Sequence, residues 1–477
     1  MKKKYLLIIG IILFSSYACK KSALYPALES SVASSQNFIS SDRIIALVNG
    51  LYTTIRSTAL YGGNYEIYNE VKCDNWINAT ANSNATYQTW TETVSSTSSE
   101  VTSLWAQCYL AINDCNVFID GMNNGGTAVV GTALATNYIG EAKFIRAAAY
   151  YALLQMYCQA YTLNGGTSPG LPLRLTGNSV YGNSALAPVS VAAIYAQVIA
   201  DLNAAETSLP LTYADASTNT TRAHRNTAIA FKTRVYLSMG LYSNVITEAN
   251  KIVSATAPYT ATSGVAFALQ PVIANVFKAP YTTTESILSM PFFTTETRGN
   301  EGDYFNSVGT ANYYLNPAGI IADPNWKTTD ARRAFINLVT KVNHYYLTKY
   351  PLTPYTDWAN VMRYSEVLLN LSEARVRSTG TLDAQAIALL NAVHTRSDPT
   401  TTFTTASFPA GVDDFYAKIA EERNIEFLGE GLRWSDLLRL QLPIPAKSNV
   451  PSIPVTSAAY IWPISNNEEL YNPLIGR

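Results

Sequence analysis

The chain has 477 residues, 48% of them hydrophobic and 14% charged, which is ample material for a large core and excludes a disordered chain. Its formal net charge is −1 with Lys and Arg scattered, so no basic stripe is available to a phosphate backbone and nucleic acid is excluded as a partner. The 32 Tyr and 7 Trp, mixed with Asn, Thr and Ser, suit a surface of flat ring faces beside hydrogen-bonding groups, although most are expected in the core.

Lys2, Lys3 and Lys4, the apolar run from Leu6 to Phe14 and the small residues up to Ala18 read as a secretory signal over residues 1–18. The run is shorter than the ~20 residues a membrane-spanning helix needs, and no later stretch qualifies. Cys19, preceded by Ser16, Tyr17 and Ala18, resembles the lipobox cysteine of bacterial lipoproteins, which becomes N-terminal and acylated. Each buried CH2 contributes about 0.8 kcal/mol, so several acyl chains hold a soluble body on a membrane. Ser16 stands where Leu is usual, and Lys20 and Lys21 follow where acidic residues often accompany surface export. A polar tether is expected over 19–36 and a single domain over 37–477.

Ile44, Val48, Leu51 and Ile55 recur at helical spacing and define a first helix. A Gly-, Asn- and Tyr-rich stretch from Tyr61 to Thr97 reads as irregular, and helical periodicity returns from Val101 to Met122 before a break at 123–126. Cys108 and Cys115 lie seven residues apart on that helix, ~10 Å at 1.5 Å per residue and beyond disulfide reach. They and Cys158 are expected as buried thiols, with Cys73 open. Further helices are expected over 141–157, rich in Ala, and over 191–209, stopping at Pro210. From Thr227 the pattern is helix, Gly240, helix, and a similar cadence surrounds Gly380. Small residues at set positions resemble tetratricopeptide (TPR) helix pairs. The expected fold is therefore mainly α, a TPR-like scaffold of helical hairpins with long irregular loops and a few short strands. Within it, 37–258 and 359–477 are helical parts and 259–358 is a loop-rich excursion, a kind of insertion that is usually functional.

The sharpest motif is residues 421–439, EERNIEFLGEGLRWSDLLR. Arg423 and Glu426 stand three apart on a helix and are expected to pair, Gly429 and Gly431 turn the chain, and a second helix starts near Leu432. Clustered charges around a Trp between glycine-hinged helices are expected to form a structural latch. The string resembles the signature E-R-x-x-E-F-x-x-E-G-x-R-W-x-D-L-x-R of SusD/RagB outer-membrane lipoproteins of Bacteroidetes, carried here by Glu422, Arg423, Glu426, Phe427, Glu430, Gly431, Arg433, Trp434, Asp436 and Arg439. Residues 46–52, 140–147, Asp201-Leu202, Leu209-Pro210, Asp330 with Arg332, 362–374, Trp462-Pro463-Ile464 and Asn472-Pro473 match in the family's order, over nearly the whole chain. Residues 393–397 and the Gly476-Arg477 end depart from it.

The resemblance implies a non-enzymatic lipoprotein, anchored in the outer membrane through Cys19 and facing the cell exterior. It would bind nutrient oligosaccharides and deliver them to a SusC-like TonB-dependent transporter, with no cofactor and no metal. On that model Trp and Tyr faces meet sugar rings while Asn, Asp and Arg reach hydroxyls. The candidates in the two irregular stretches are Tyr65, Asp74, Asn75, Trp76, Trp90, Arg298, Tyr304, Tyr313 and Trp326. Oligopeptide capture of the RagB type is the alternative cargo. A glycan-degrading enzyme is a further alternative, although His224, His344 and His394 are far apart and no G-x-S-x-G, Walker or HExxH motif occurs.

Overall fold

The computed structural model describes residues 36–82, 86–178, 185–295 and 300–476. The expected signal peptide, the tether up to residue 35 with Cys19, and Arg298 lie outside the described residues. The first helix, α1 (Ser41–Ile55), starts at Ser40, whose hydroxyl accepts the Arg43 N–H, and it buries Ile44, Val48, Leu51 and Ile55 along one stripe. The stretch from Tyr61 to Thr97 corrects the sequence reading: it holds a buried helix, α2 (Asn64–Val71). Asn and Tyr weaken helix propensity, and tertiary burial of seven of its eight residues outweighs that.

Next come α3 (Ser99–Gly121) and α4 (Thr132–Tyr157), separated by a π-turn in which Asn124 and Gly125 leave helical geometry. α4 starts nine residues before the expected Glu141. Its Ala142, Ala147, Ala149 and Ala152 are completely buried, so their small side chains let α3 and α5 (Val191–Ser208) approach it closely. α6 (Arg225–Ser238) and α7 (Tyr242–Ala249) hinge at Gly240, φ 70°. α8 (Tyr364–Thr379) and α9 (Ala384–Ser397) hinge at Gly380, φ 67°, and α6, α7 and α8 pack on one another. This is the mainly α, TPR-like pairing of helices that the glycine spacing predicts. Cys73, Cys108, Cys115 and Cys158 are buried thiols.

Short strands follow: β1 (Trp76–Asn78) in the stretch from Tyr61 to Thr97, β2 (Ser286–Met290), β3 (Tyr313–Leu315), β4 (Ile336–Val339) and β5 (His344–Leu347) in the excursion, and β6 (Ala359–Arg363) just after it. Four of them form an antiparallel sheet in the order β1-β3-β5-β4, and β2 pairs with β6. The two stretches expected to be irregular are thus joined, because β1 from one pairs with β3 from the other, Ile77 opposite Tyr314.

The motif at 421–439 fastens this sheet to the helices. α10 (Val412–Glu426) ends at two turns, Gly429 (φ 81°) and Gly431 (φ 75°), and α11 (Arg433–Arg439) follows. A Cβ on Gly431 would come within 2.6 Å of Glu66 Cα, so glycine is needed both for the turn and for the contact with α2. The expected Arg423–Glu426 pair does not form. Arg423 instead meets Asp436 at 2.8 Å and Asn370 at 2.7 Å, while Glu426 receives Arg363 at 2.9 Å, Arg332 at 3.1 Å and Arg396 at 2.5 Å. Local pairing yields because a fully buried carboxylate needs several donors, which only neighbouring segments supply. Arg332 also binds Asp330 and Glu422, Lys349 binds Glu430 at 2.7 Å, and Glu285 accepts from Arg363 at 2.6 Å, so earlier and later parts of the excursion are held by one buried network. Burial alone would raise the Glu426 carboxyl, but Arg396, Arg363 and Arg332 hold it well below the usual carboxylate range.

Candidate functional site: an aromatic sheet face

Strand alternation sends Trp76, Tyr313 and Leu315 inward and leaves Tyr314 on the opposite face. On β5, His344 and Tyr346 lie on the side of Tyr314, His344 half-buried and Tyr346 buried, while Tyr345 is exposed on the other side. The Tyr314 and His344 rings lie parallel, 3.6 Å between centroids and 6° between planes, and Tyr346 stands 6.2 Å beyond His344. On β4, exposed Asn337 pairs in register with Tyr346 and so points to the same side. Tyr314 and His344 are half-buried, held at their bases by the sheet. Burial pushes the Tyr314 phenol up, and burial with neighbouring Tyr314 does the same for Tyr346, so both hydroxyls stay protonated and able to donate at neutral pH. Thr80 is exposed at the β1 end and reaches Asn312 Oδ1 at 3.4 Å. The arrangement offers ring faces flanked by hydroxyl and amide groups, which suits the apolar face and hydroxyl edge of a sugar ring.

Most residues that the sequence nominates do not lie on this face. Trp76 is wholly buried, stacked on Phe305 with centroids 3.9 Å apart, and its Nε1 donates to Glu70 at 2.9 Å. Trp90 donates from Nε1 to the Trp76 carbonyl at 2.8 Å, and the Tyr313 hydroxyl lies 2.8 Å from Thr86 Oγ1. Tyr304 stacks beside Tyr313, Tyr65 meets Tyr61 edge-on, and Trp326 lies beneath the Arg333 guanidinium; all three are buried. Asn75 is a buried clamp, donating to Asn424 Oδ1 at 2.7 Å and accepting the Ile320 N–H at 3.2 Å. Trp76, Trp90, Tyr304, Tyr313 and Trp326 share one buried cluster that seats the sheet on the scaffold, and Tyr65 belongs to the main helical core. Asp74 is partly exposed and is forked by Arg433 at 3.1 and 3.2 Å. Tyr314 and His344 were missed: Tyr313-Tyr314-Leu315 and His344-Tyr345-Tyr346-Leu347 mark short aromatic strands, but not which ring turns outward.

Comparison with known proteins agrees with this architecture. Residues 232–472 match the SusD family model, and residues 28–237 match a model described as starch-binding and associating with the outer membrane. The chain belongs to the SusD family, whose descriptions are of carbohydrate-binding proteins associated with the outer membrane. It is 25% identical over 393 residues to SusD-like protein P2 of Formosa agariphila, covering 72% of each chain. A SusD superfamily protein of Bacteroides fragilis superposes with a TM-score of 0.82 at 29% identity, over 92% of this chain and 100% of the other. A protein described as a laminarin-binding SusD-like protein shares the fold at a TM-score of 0.68 and 19% identity, over 91% and 98%. No helix among the described residues is long and apolar enough to cross a membrane.

Proposed function

We propose that the protein holds oligosaccharides on the outward face of the β1-β3-β5-β4 sheet and delivers them to a SusC-like TonB-dependent transporter, without breaking bonds in them. The observation that carries this reading is the parallel, half-buried Tyr314–His344 stack with exposed Asn337 on the same side. Acylation at Cys19 would tie the body to the outer membrane with the sheet facing the cell exterior and the transporter. A fixed aromatic surface costs little ordering entropy on binding, so millimolar to micromolar capture and ready release suit a protein that passes cargo on.

The test is calorimetric titration with soluble oligosaccharides of laminarin and of starch, alongside a mixture of tryptic peptides. Tyr314→Ala should weaken glycan binding by about 1 kcal/mol, the contribution of one ring contact, and leave thermal unfolding close to wild type. Peptides binding where both glycan series fail would replace oligosaccharide by oligopeptide as cargo. Glycan affinity unchanged by Tyr314→Ala and by His344→Ala would remove the sheet face from the site.

A further inference from the structure

A second concavity of about 440 Å3 opens between the turn after β3 and the later half of α10, lined by Asp74, Gly319, Asp323, Glu421, Asn424 and Arg433 among others. That volume falls within the ~300–1,000 Å3 of small-molecule sites. Two of its three carboxylates are paired. Arg433 forks Asp74 through Nε and Nη2, and Lys418 Nζ lies 2.8 Å from each oxygen of Glu421. Asp323 has no ion pair among the described residues, so the cleft is net acidic and an anion is not called for. Hydrogen-bonding capacity remains, however. Arg433 keeps Nη1 outside the fork, and Asn424 spends Oδ1 on Asn75, which leaves its Nδ2 a donor. The carboxylates of Asp74, Asp323 and Glu421 have lone pairs beyond the bonds they accept.

The walls are preorganised. Asn75 bridges α10 to the turn by binding both Asn424 and Ile320, and a Cβ on Gly319 would meet the Asp74 carbonyl at 3.1 Å. Ala318, Ala322 and Ala420, with Ile320 and Pro324, complete the lining, and no aromatic ring takes part. Donors beside abundant acceptors in a small concavity without a stacking surface match adjacent hydroxyl pairs presented edge-on.

We propose that this cleft is a second carbohydrate subsite that takes one hydroxyl-rich ring by its edge, beyond the stacking face of the sheet. The ligand class rests on the proposed function, whereas the residues are separate from that face. Gly319 follows Tyr314 by five residues, so at ~3.3 Å per residue the two lie at most ~17 Å apart, near enough for one oligosaccharide to engage both.

Saturation-transfer NMR with free glucose, galactose, mannose and xylose tests this on the folded chain and on three variants. Ala322→Trp and Ala420→Trp each place an indole into the cleft, at an exposed and a half-buried position respectively, and Tyr314→Ala strips the sheet face. At least one sugar is expected to receive saturation in wild type and in Tyr314→Ala, with affinity falling about tenfold or more in the filled variants that retain the wild-type melting profile. Transfer to none of these sugars in wild type overturns the subsite. Transfer lost in Tyr314→Ala yet retained in the folded Trp variants also overturns it, while the sheet reading stands.

Discussion

Trp76 shows how far burial governs the role of a side chain here. With Phe305 on one ring face and Glu70 on its nitrogen, the indole is a core residue, and Trp76→Ala should cost about 3–5 kcal/mol of stability in denaturant unfolding. A loss under about 1 kcal/mol would mean that the ring is not packed as described. Tyr314→Ala is the contrast, because its loss should appear in glycan titration and not in unfolding. Gly431 belongs to the same scale. Its φ of 75° and the 2.6 Å approach of Glu66 make Gly431→Ala destabilising by about 1–3 kcal/mol, measured in the same way, whereas Ala at Gly411, whose Cβ would meet nothing, carries only the backbone strain.

At the scale of elements, the buried ion network decides whether the sheet stays on the helices. Glu426→Gln leaves Arg332, Arg363 and Arg396 short of a carboxylate and should lower stability by about 3–5 kcal/mol, with the melting temperature as readout. Glu373 supplies the pH dependence. Burial alone would raise its carboxyl, but Arg439, aided by Arg377 and Arg423, holds it down to about 2. An ordinary Glu titrates near ~4.3, so the unfolded chain takes up this proton first. The stabilisation is therefore complete above about pH 4.3 and is lost as pH falls toward 2, an amount on the order of 3 kcal/mol. Glu373→Gln should be less stable at neutral pH and flatter across that acid window, and an unchanged slope would contradict the assignment.

The helices, their glycine hinges and the 421–439 latch were legible in the sequence because 3.6-residue periodicity and positive-φ glycines leave local marks. The partners in the latch were not, since Glu426 finds its arginines 30, 63 and 94 residues away. Nor was the face of the sheet. Three-residue strands such as Tyr313–Leu315 carry too little alternation to show which ring of Tyr313-Tyr314 turns outward until β1 is laid beside them.

For the whole molecule, we read residues 37–477 as one domain, because the excursion shares its buried charges with α8, α9 and α10. One cooperative calorimetric transition is expected; a separate early transition that leaves the helices intact would divide the excursion from the scaffold. The central claim is that a frame of paired helices presents an aromatic sheet face to a glycan and does no chemistry on it. A crystal structure with a laminarin or starch oligosaccharide tests it most directly. The account predicts intact sugar rings against Tyr314 and His344. A glycan seated elsewhere with that face empty, or found cleaved, would contradict it.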